Sequence, residues 1–240
     1  MAAGGVGIIM HRYRCIFFDL DHTLWDYETN SCDTLRELYH AYGLFDRGVH
    51  SIDAFHQQFR VVNTELWDQF DRGMITSRTI REERFKRILG YFGVCDDRLC
   101  EDLSVEYLYC CPQKGNLVPH ALETLEYLSK SYSMTVVTNG FDEIQKVKLA
   151  AGNLNRYFEH IVTSEKAGQR KPAREIFEYA LNANGATREE VVMIGDNLLT
   201  DIAGAQNAEI DAVFFNPERI AHNVEVKHEI QCLSELRSIL

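Results

Sequence analysis

The chain has 240 residues, 45% of them hydrophobic, with a formal net charge of -11 and a pI near 5.3. That is enough apolar chain for one large domain or for a core with an inserted second one, and the acidic balance makes long polyanions poor partners, since nucleic-acid binding relies on a basic face that releases counterions. No apolar run reaches the roughly 20 residues that cross a bilayer, and the opening "MAAGGVGIIM" lacks the charged start and long apolar centre of a signal peptide, so a cytoplasmic protein is expected.

Acidic small molecules stay admissible if the site supplies its own cation. Met10 is a candidate true start, with residues 1–9 a Gly-rich lead. The seven cysteines are scattered without CxxC pairs, and adjacent Cys110 and Cys111 suit a disulfide poorly, so buried thiols in a reducing compartment are expected.

In chain order, short apolar runs recur at "CIFF", "MTVVT", "HIVT", "VVMI" and "AVFF", each separated by enough chain for a helix. This alternation predicts an α/β fold, a Rossmann-like parallel sheet with helices on both faces. Ala121, Leu122, Leu125 and Leu128 predict one amphipathic crossover helix, and Ile176, Phe177, Ala180 and Leu181 another. After "CIFF", roughly 85 residues pass before the first of them, far beyond ordinary loop length. An inserted helical domain is therefore expected at 26–112, within a core made of 11–25 and 113–240. Four helices are predicted in the insert, near 29–42, 51–71, 76–92 and 96–110, with Gly43, Gly73 and Gly93 at their ends.

The first strand runs into "IFFDLDHTLW". Residues i and i+2 of an extended chain project to the same side, which puts the Asp19 and Asp21 carboxylates within about 7 Å of each other. A magnesium ion between them would relieve the repulsion; equally, both could cap a turn. Thr138, Asn139 and Gly140 follow the second strand and open a helical run, where a hydroxyl and free N–H groups suit a phosphate as well as a plain cap. Lys171 precedes Pro172, a favoured first helical residue, at a loop–helix junction. "VVMIGDNLLTD" adds Asp196 and Asp201 after another buried strand. Each cluster alone reads as a cap. Together, all four fall at the carboxyl ends of predicted parallel strands, where open α/β sheets bind ligands.

In this set the chain resembles the haloacid dehalogenase (HAD) superfamily: "DLDHT" is similar to its DxDxT, "TNG" to its Thr/Ser motif, "KP" to its lysine motif and "GDNLLTD" to its GDxxxxD, over residues 14 to 215. The resemblance implies Asp19 as a nucleophile forming an aspartyl-phosphate and Asp21 as acid and base. It implies Thr138, Asn139, Gly140 and Lys171 around the phosphoryl group, and Mg2+ held by Asp19, the Asp21 carbonyl and Asp196 with Asp201 in support. Asp21 also argues for a phosphatase, because the dehalogenase branch needs no acid two residues on. His22 is assigned no role.

Within the insert, "VNTELWDQFDRGMITSRTIREERF", together with "TNGF" and "QKVKL", is similar to the YjjG-type pyrimidine 5'-nucleotidases, whose substrates include non-canonical nucleotides. By that likeness the insert is a cap that selects the substrate. Trp67 or Phe70 could stack on a base and Asn63 could read its edge; both rings could equally belong to the insert's own core. "RTIREERFKR", mixed in sign, reads as a solvated helix face. The expected function is a magnesium-dependent phosphomonoesterase acting on nucleoside 5'-monophosphates, with a sugar-phosphate phosphatase or phosphomutase as the alternative and a non-catalytic binding protein as the outsider. The expected partner is a small phosphate ester, with no nucleic acid or membrane, and the protein a monomer or weak homodimer.

Overall fold

The computed structural model describes residues 12–240; residues 1–9 and position 11, where the first core segment was expected to begin, lie outside the described residues. The centre is a parallel sheet of six strands: β1 (Cys15–Phe18), β2 (Ser133–Thr138), β3 (His160–Thr163), β4 (Val191–Gly195), β5 (Asp211–Phe215) and β6 (His228–Ile230), in spatial order β3-β2-β1-β4-β5-β6. The first five are the five apolar runs. β6, "HEI", has only one buried residue, so it carries no apolar signal.

Because strand side chains alternate between faces, the sheet divides its apolar residues between two cores. Ile16 and Phe18 join Met134, Val136 and Ile194 on one face, while Cys15 and Phe17 join Val137, Val191 and Met193 on the other. Burial on both faces is why the strands read as unbroken apolar runs.

Four helices follow β1 in the chain: α1 (Tyr27–Ala41), α2 (Ile52–Asp71), α3 (Ser77–Tyr91) and α4 (Asp97–Cys110). α5 (Ala121–Leu128) and α6 (Asp142–Ala151) pack on the first core through Leu125, Leu128 and Leu149. The single turn α7 (Ser164–Ala167) leads to α8 (Arg174–Asn184), which covers the second core with α9 (Ala203–Asn207), and α10 (Leu236–Ile239) closes the chain. Two expectations fail in detail. Leu122 is 39% exposed, because α5 is only two turns long and turns the stripe of Ala121, Leu125 and Leu128 inward. Pro172 does not start a helix: it lies in a turn closed by the Ala173 N–H donating to the Arg170 carbonyl (2.9 Å), and α8 begins two residues later.

The glycines expected to stop the first three helices do so by one device. Gly43, Gly73 and Gly93 have φ of +57°, +74° and +77°, and the residue after each donates back across the helix end, Leu44 to Tyr39, Met74 to Gln69 and Val94 to Leu89. These are Schellman closures, which need a left-handed residue that glycine adopts without a Cβ penalty. Side-chain caps at Asp26, Ser51, Thr76 and Asp96 begin the four helices. The helices bury Phe55, Phe59, Leu66, Phe85, Leu103 and Tyr107, among others, in an apolar cluster continuous with the first core of the sheet.

Strand order reverses between β1 and β4, and the crevice beyond their carboxyl ends is where such sheets hold ligands. All seven cysteines are free thiols; Cys15, Cys100 and Cys111 are buried and Cys95 is exposed. Among the described residues no helix is long and apolar enough to cross a membrane.

Candidate active site

Asp19 follows β1, its N–H bonded to the Ile194 carbonyl at 2.9 Å. Its carboxylate is buried and accepts from Lys171 Nζ at 2.6 Å, and the same ammonium donates to Asp201 Oδ1 at 2.6 Å. Asp196, after β4, accepts from the Thr23 hydroxyl at 2.7 Å. One oxygen each from Asp19, Asp196 and Asp201 lie within 4.8 Å of one another.

Two of these carboxylates, Asp19 and Asp201, therefore share one buried ammonium, with Asp196 beside them. Burial raises the Asp19 pKa well above the carboxylate range, with Asp201 and Asp196 adding to it and Lys171 opposing. Burial, then Asp201, pushes Asp196 up to about 6. Burial works against the Lys171 ammonium, but Asp19 and Asp201 outweigh it and hold its pKa above the usual lysine value. The excess negative charge and the all-oxygen donor set fit a hard divalent cation such as magnesium.

The approach of Asp201 depends on Gly195, where a Cβ would lie 2.3 Å from Asp201 Oδ2. A π-helical turn at Leu198–Ile202 carries Asp201, whose second oxygen accepts from the Asn197 N–H at 3.0 Å.

The Asp21 carboxylate is not part of the acidic cluster; it accepts from Lys148 Nζ at 2.5 Å and from Gln145 Nε2 at 2.9 Å, both on α6. Asp19 and Asp21 are each paired with a separate lysine. Burial pushes the Asp21 pKa up, but Lys148 and Gln145 outweigh it and the carboxyl titrates below its ordinary value. The Lys148 ammonium also lies 4.4 Å from the Trp25 ring centroid, a cation–π contact.

Thr138 is buried at the end of β2, its hydroxyl accepting from the Gly140 N–H at 3.1 Å. Asn139 uses its side chain as a brace: Oδ1 accepts from the Lys171 N–H (2.8 Å), and Nδ2 donates to the Lys171 carbonyl (3.0 Å) and to Asp71 on α2 (2.9 Å). At Gly140 a Cβ would lie 1.6 Å from Gln145 Nε2, so this glycine makes room for the group that reaches Asp21.

These residues line one cavity of about 680 Å³, together with Asn63, Trp67 and Arg84 of the helical layer. Trp67 stacks on Phe141 at 5.6 Å and 26°. Phe70 is buried against both rings and does not line the cavity. His22, with φ of +62°, lies against Tyr27 with ring centroids 4.8 Å apart.

Gln145, Lys148 and Arg84 were not foreseen. Each occupies a helix position that the apolar spacing turns inward: Gln145 and Lys148 share the buried stripe with Leu149, and Arg84 sits four residues from both Ile80 and Ile88. A long polar residue on such a stripe is the signal that would have found them. The run "RTIREERFKR" is accordingly not wholly a solvated face, since Arg84 is 4% exposed.

Residues 13–209 match the haloacid dehalogenase-like hydrolase family, and the chain belongs to it. It is an enzyme of the kind that hydrolyses phosphoric monoesters. Among its relatives, the pyrimidine 5'-nucleotidase YjjG of Escherichia coli is 31% identical over 232 residues, spanning 92% of this chain and 98% of that protein. The ribulose-1,5-bisphosphate 5-phosphatase of Halopiger xanaduensis is 31% identical over 239 residues, spanning 94% and 98%. Among solved structures, Bacillus subtilis YfnB bound to magnesium superposes with a TM-score of 0.85 at 28% identity, covering 95% of this chain and 99% of that one.

Proposed function

We propose that this enzyme is a magnesium-dependent 5'-nucleotidase acting on pyrimidine nucleoside monophosphates, including non-canonical ones, through an aspartyl-phosphate. The observation that carries the reading is the meeting of Asp19, Asp196 and Asp201 within 4.8 Å, two of them on one lysine, at a cavity lined by Asp19, Asp196, Thr138 and the separately clamped Asp21. The relative named as a pyrimidine 5'-nucleotidase supports the nucleotide part, and a cavity of about 680 Å³ suits a ligand of that size. The relative named as a ribulose-1,5-bisphosphate 5-phosphatase favours a sugar-phosphate phosphatase as the second reading.

Magnesium, held by Asp19, Asp196 and the Asp21 carbonyl with Asp201 in support, would screen charge on the phosphoryl oxygens. An Asp19 oxygen attacks phosphorus, the ester P–O bond breaks, and the leaving oxygen takes a proton from Asp21. Asp21 then removes a proton from water, which attacks the same phosphorus; the bond to Asp19 breaks and phosphate leaves. The contacts from Lys148 and Gln145 favour ionised Asp21, the form required in this second half. Lys171, Thr138 and the backbone N–H of Asn139 receive the phosphoryl oxygens. Residues 26–112 act as a cap over a core of 11–25 and 113–240, and Asn63 and Trp67 contact the nucleoside. The enzyme works in the cytoplasm on a small phosphate ester, without nucleic acid or membrane, as a monomer or weak homodimer.

The test is phosphate release with magnesium and with EDTA across UMP, dUMP, dTMP, a 5-halogenated dUMP, purine monophosphates and sugar phosphates. Magnesium-dependent preference for pyrimidine monophosphates is expected; preference for sugar phosphates would retain the chemistry and remove the nucleotide.

The same cluster makes stability depend on pH and metal together. Asp196 titrates near 6 when folded, against an ordinary 3.8, so between those values the folded chain holds more protons than the unfolded one and stability falls as pH rises. A bound cation removes that penalty. The rise in melting temperature caused by magnesium is therefore expected to be larger at about pH 7.5 than at about pH 5; an increment independent of pH in calorimetry would count against the cluster as the metal site.

A further inference from the structure

Arg84 is a buried cation with no anion. Its guanidinium lies over the rings of Phe59 and Tyr107 at 5.7 and 5.3 Å, and its Nε is buried without a hydrogen-bond partner. Among the described residues no carboxylate pairs with it. Burying such a group is costly unless something compensates it. Three orphaned buried polar atoms, on Asn63, Arg84 and Gln145, belong to residues lining the one cavity that holds Asp19.

Asn63 has a fixed polarity. Tyr107 donates to Ser31 Oγ at 2.9 Å, so the hydrogen in the 3.1 Å contact between the Tyr27 and Tyr107 hydroxyls must come from Tyr27. Tyr27 is then left only to accept, and it accepts from Asn63 Nδ2 at 3.0 Å. The relay leaves Asn63 Oδ1 as a buried acceptor with no donor. The cavity thus offers an unused donor at Arg84 and an unused acceptor at Asn63.

We propose that Arg84 and Asn63 read the imide edge of a uracil-type base, with the ring N3–H donating to Asn63 Oδ1 and the adjacent C4 carbonyl accepting from Arg84. This rests on the nucleotide reading above and gives it a direction. Cytosine presents an unprotonated ring nitrogen to the Asn63 oxygen and an amino group in place of one carbonyl, so its edge sets acceptor against acceptor and donor against donor. A site with committed buried polar groups discriminates strongly against such a mismatch. Arg84 and Asn63 are specificity determinants remote from the phosphoryl chemistry.

The experiment compares kcat and KM for dUMP, dCMP, ribose 5-phosphate and ribulose 1,5-bisphosphate between the wild-type enzyme and R84M, with melting temperatures of both ligand-free proteins. The wild type is expected to favour dUMP over dCMP by at least about tenfold in kcat/KM. R84M is expected to bring that ratio to near one, chiefly through the KM for dUMP, and to melt no lower than wild type, because an unpaired buried charge has been removed. Equal use of the two nucleotides by the wild type, or a preference that survives in R84M, overturns the imide assignment and leaves the nucleotidase reading standing. A marked fall in melting temperature makes Arg84 a structural residue and also overturns it. Faster turnover of ribose 5-phosphate than of either nucleotide removes the nucleotide reading itself, and a preference for the bisphosphate that R84M abolishes gives Arg84 to a second anionic group instead.

Discussion

Asp19→Asn abolishes phosphate release, by about four orders of magnitude or more, while the protein remains folded. The size follows from the role: without a carboxylate oxygen there is no attack on phosphorus, and removing a nucleophile that works within a unit forfeits most of what the unit supplies. Retention of the fold follows from the site. Asp19 is one of three carboxylates facing a single ammonium, and its raised pKa marks the charge as costly where it lies. The amide keeps an oxygen for the Lys171 ammonium and removes a negative charge, so the melting temperature should equal or exceed that of the wild type. Activity is read as phosphate release at saturating substrate and folding as circular dichroism and melting. Near-normal turnover in this variant would overturn the mechanism.

Lys171→Met should damage both activity and stability. The ammonium, 2% exposed, bridges Asp19 and Asp201 at 2.6 Å each. Removing one partner of a buried ionic arrangement strands the others, at a cost of about 3–5 kcal/mol, or a fall in melting temperature of roughly 10 °C in a chain this size. Turnover should fall by about 10²–10³-fold, the usual loss when a positioned electrostatic donor disappears. Two controls identify the cause. The stability loss should shrink at about pH 5, where carboxylates can relieve one another by taking up protons, and it should shrink when magnesium is added. A variant as stable as wild type in EDTA at neutral pH would mean that the carboxylates do not depend on this lysine.

Most of the framework was legible because it is written in local patterns. The strands β1 to β5 are apolar runs buried on both faces, the three helix-ending glycines are left-handed closures, and the four polar clusters lie where the parallel strands end. What escaped is what only tertiary packing decides. The helical spacing can tell that Lys148 and Arg84 turn inward, but not that Lys148 meets Asp21 or that Arg84 enters the cavity. β6 has too little apolar content to be seen, and Leu122 faces solvent because a two-turn helix has room for only one buried stripe. That Asp19 and Asp21 each have their own lysine was not foreseen, since Lys148 and Lys171 come from opposite sides of β3 in the chain.

One helix, α2, touches both halves of the problem. Asp71 at its last position braces Asn139 and through it the Lys171 backbone, whereas Asn63, eight residues earlier and so roughly 12 Å along the axis, lines the cavity beside the Tyr27 relay. On the proposed role of Asn63, chemistry and choice of substrate are spaced along a single rod by a little over two turns. Drift at the Asn63 end can retune what the enzyme accepts without moving the lysine, while drift at the Asp71 end reaches the reaction whatever the substrate. A lineage with this layout can change diet by substitution on one stretch of helix, and relatives that share nearly all of the chain can act on different phosphate esters.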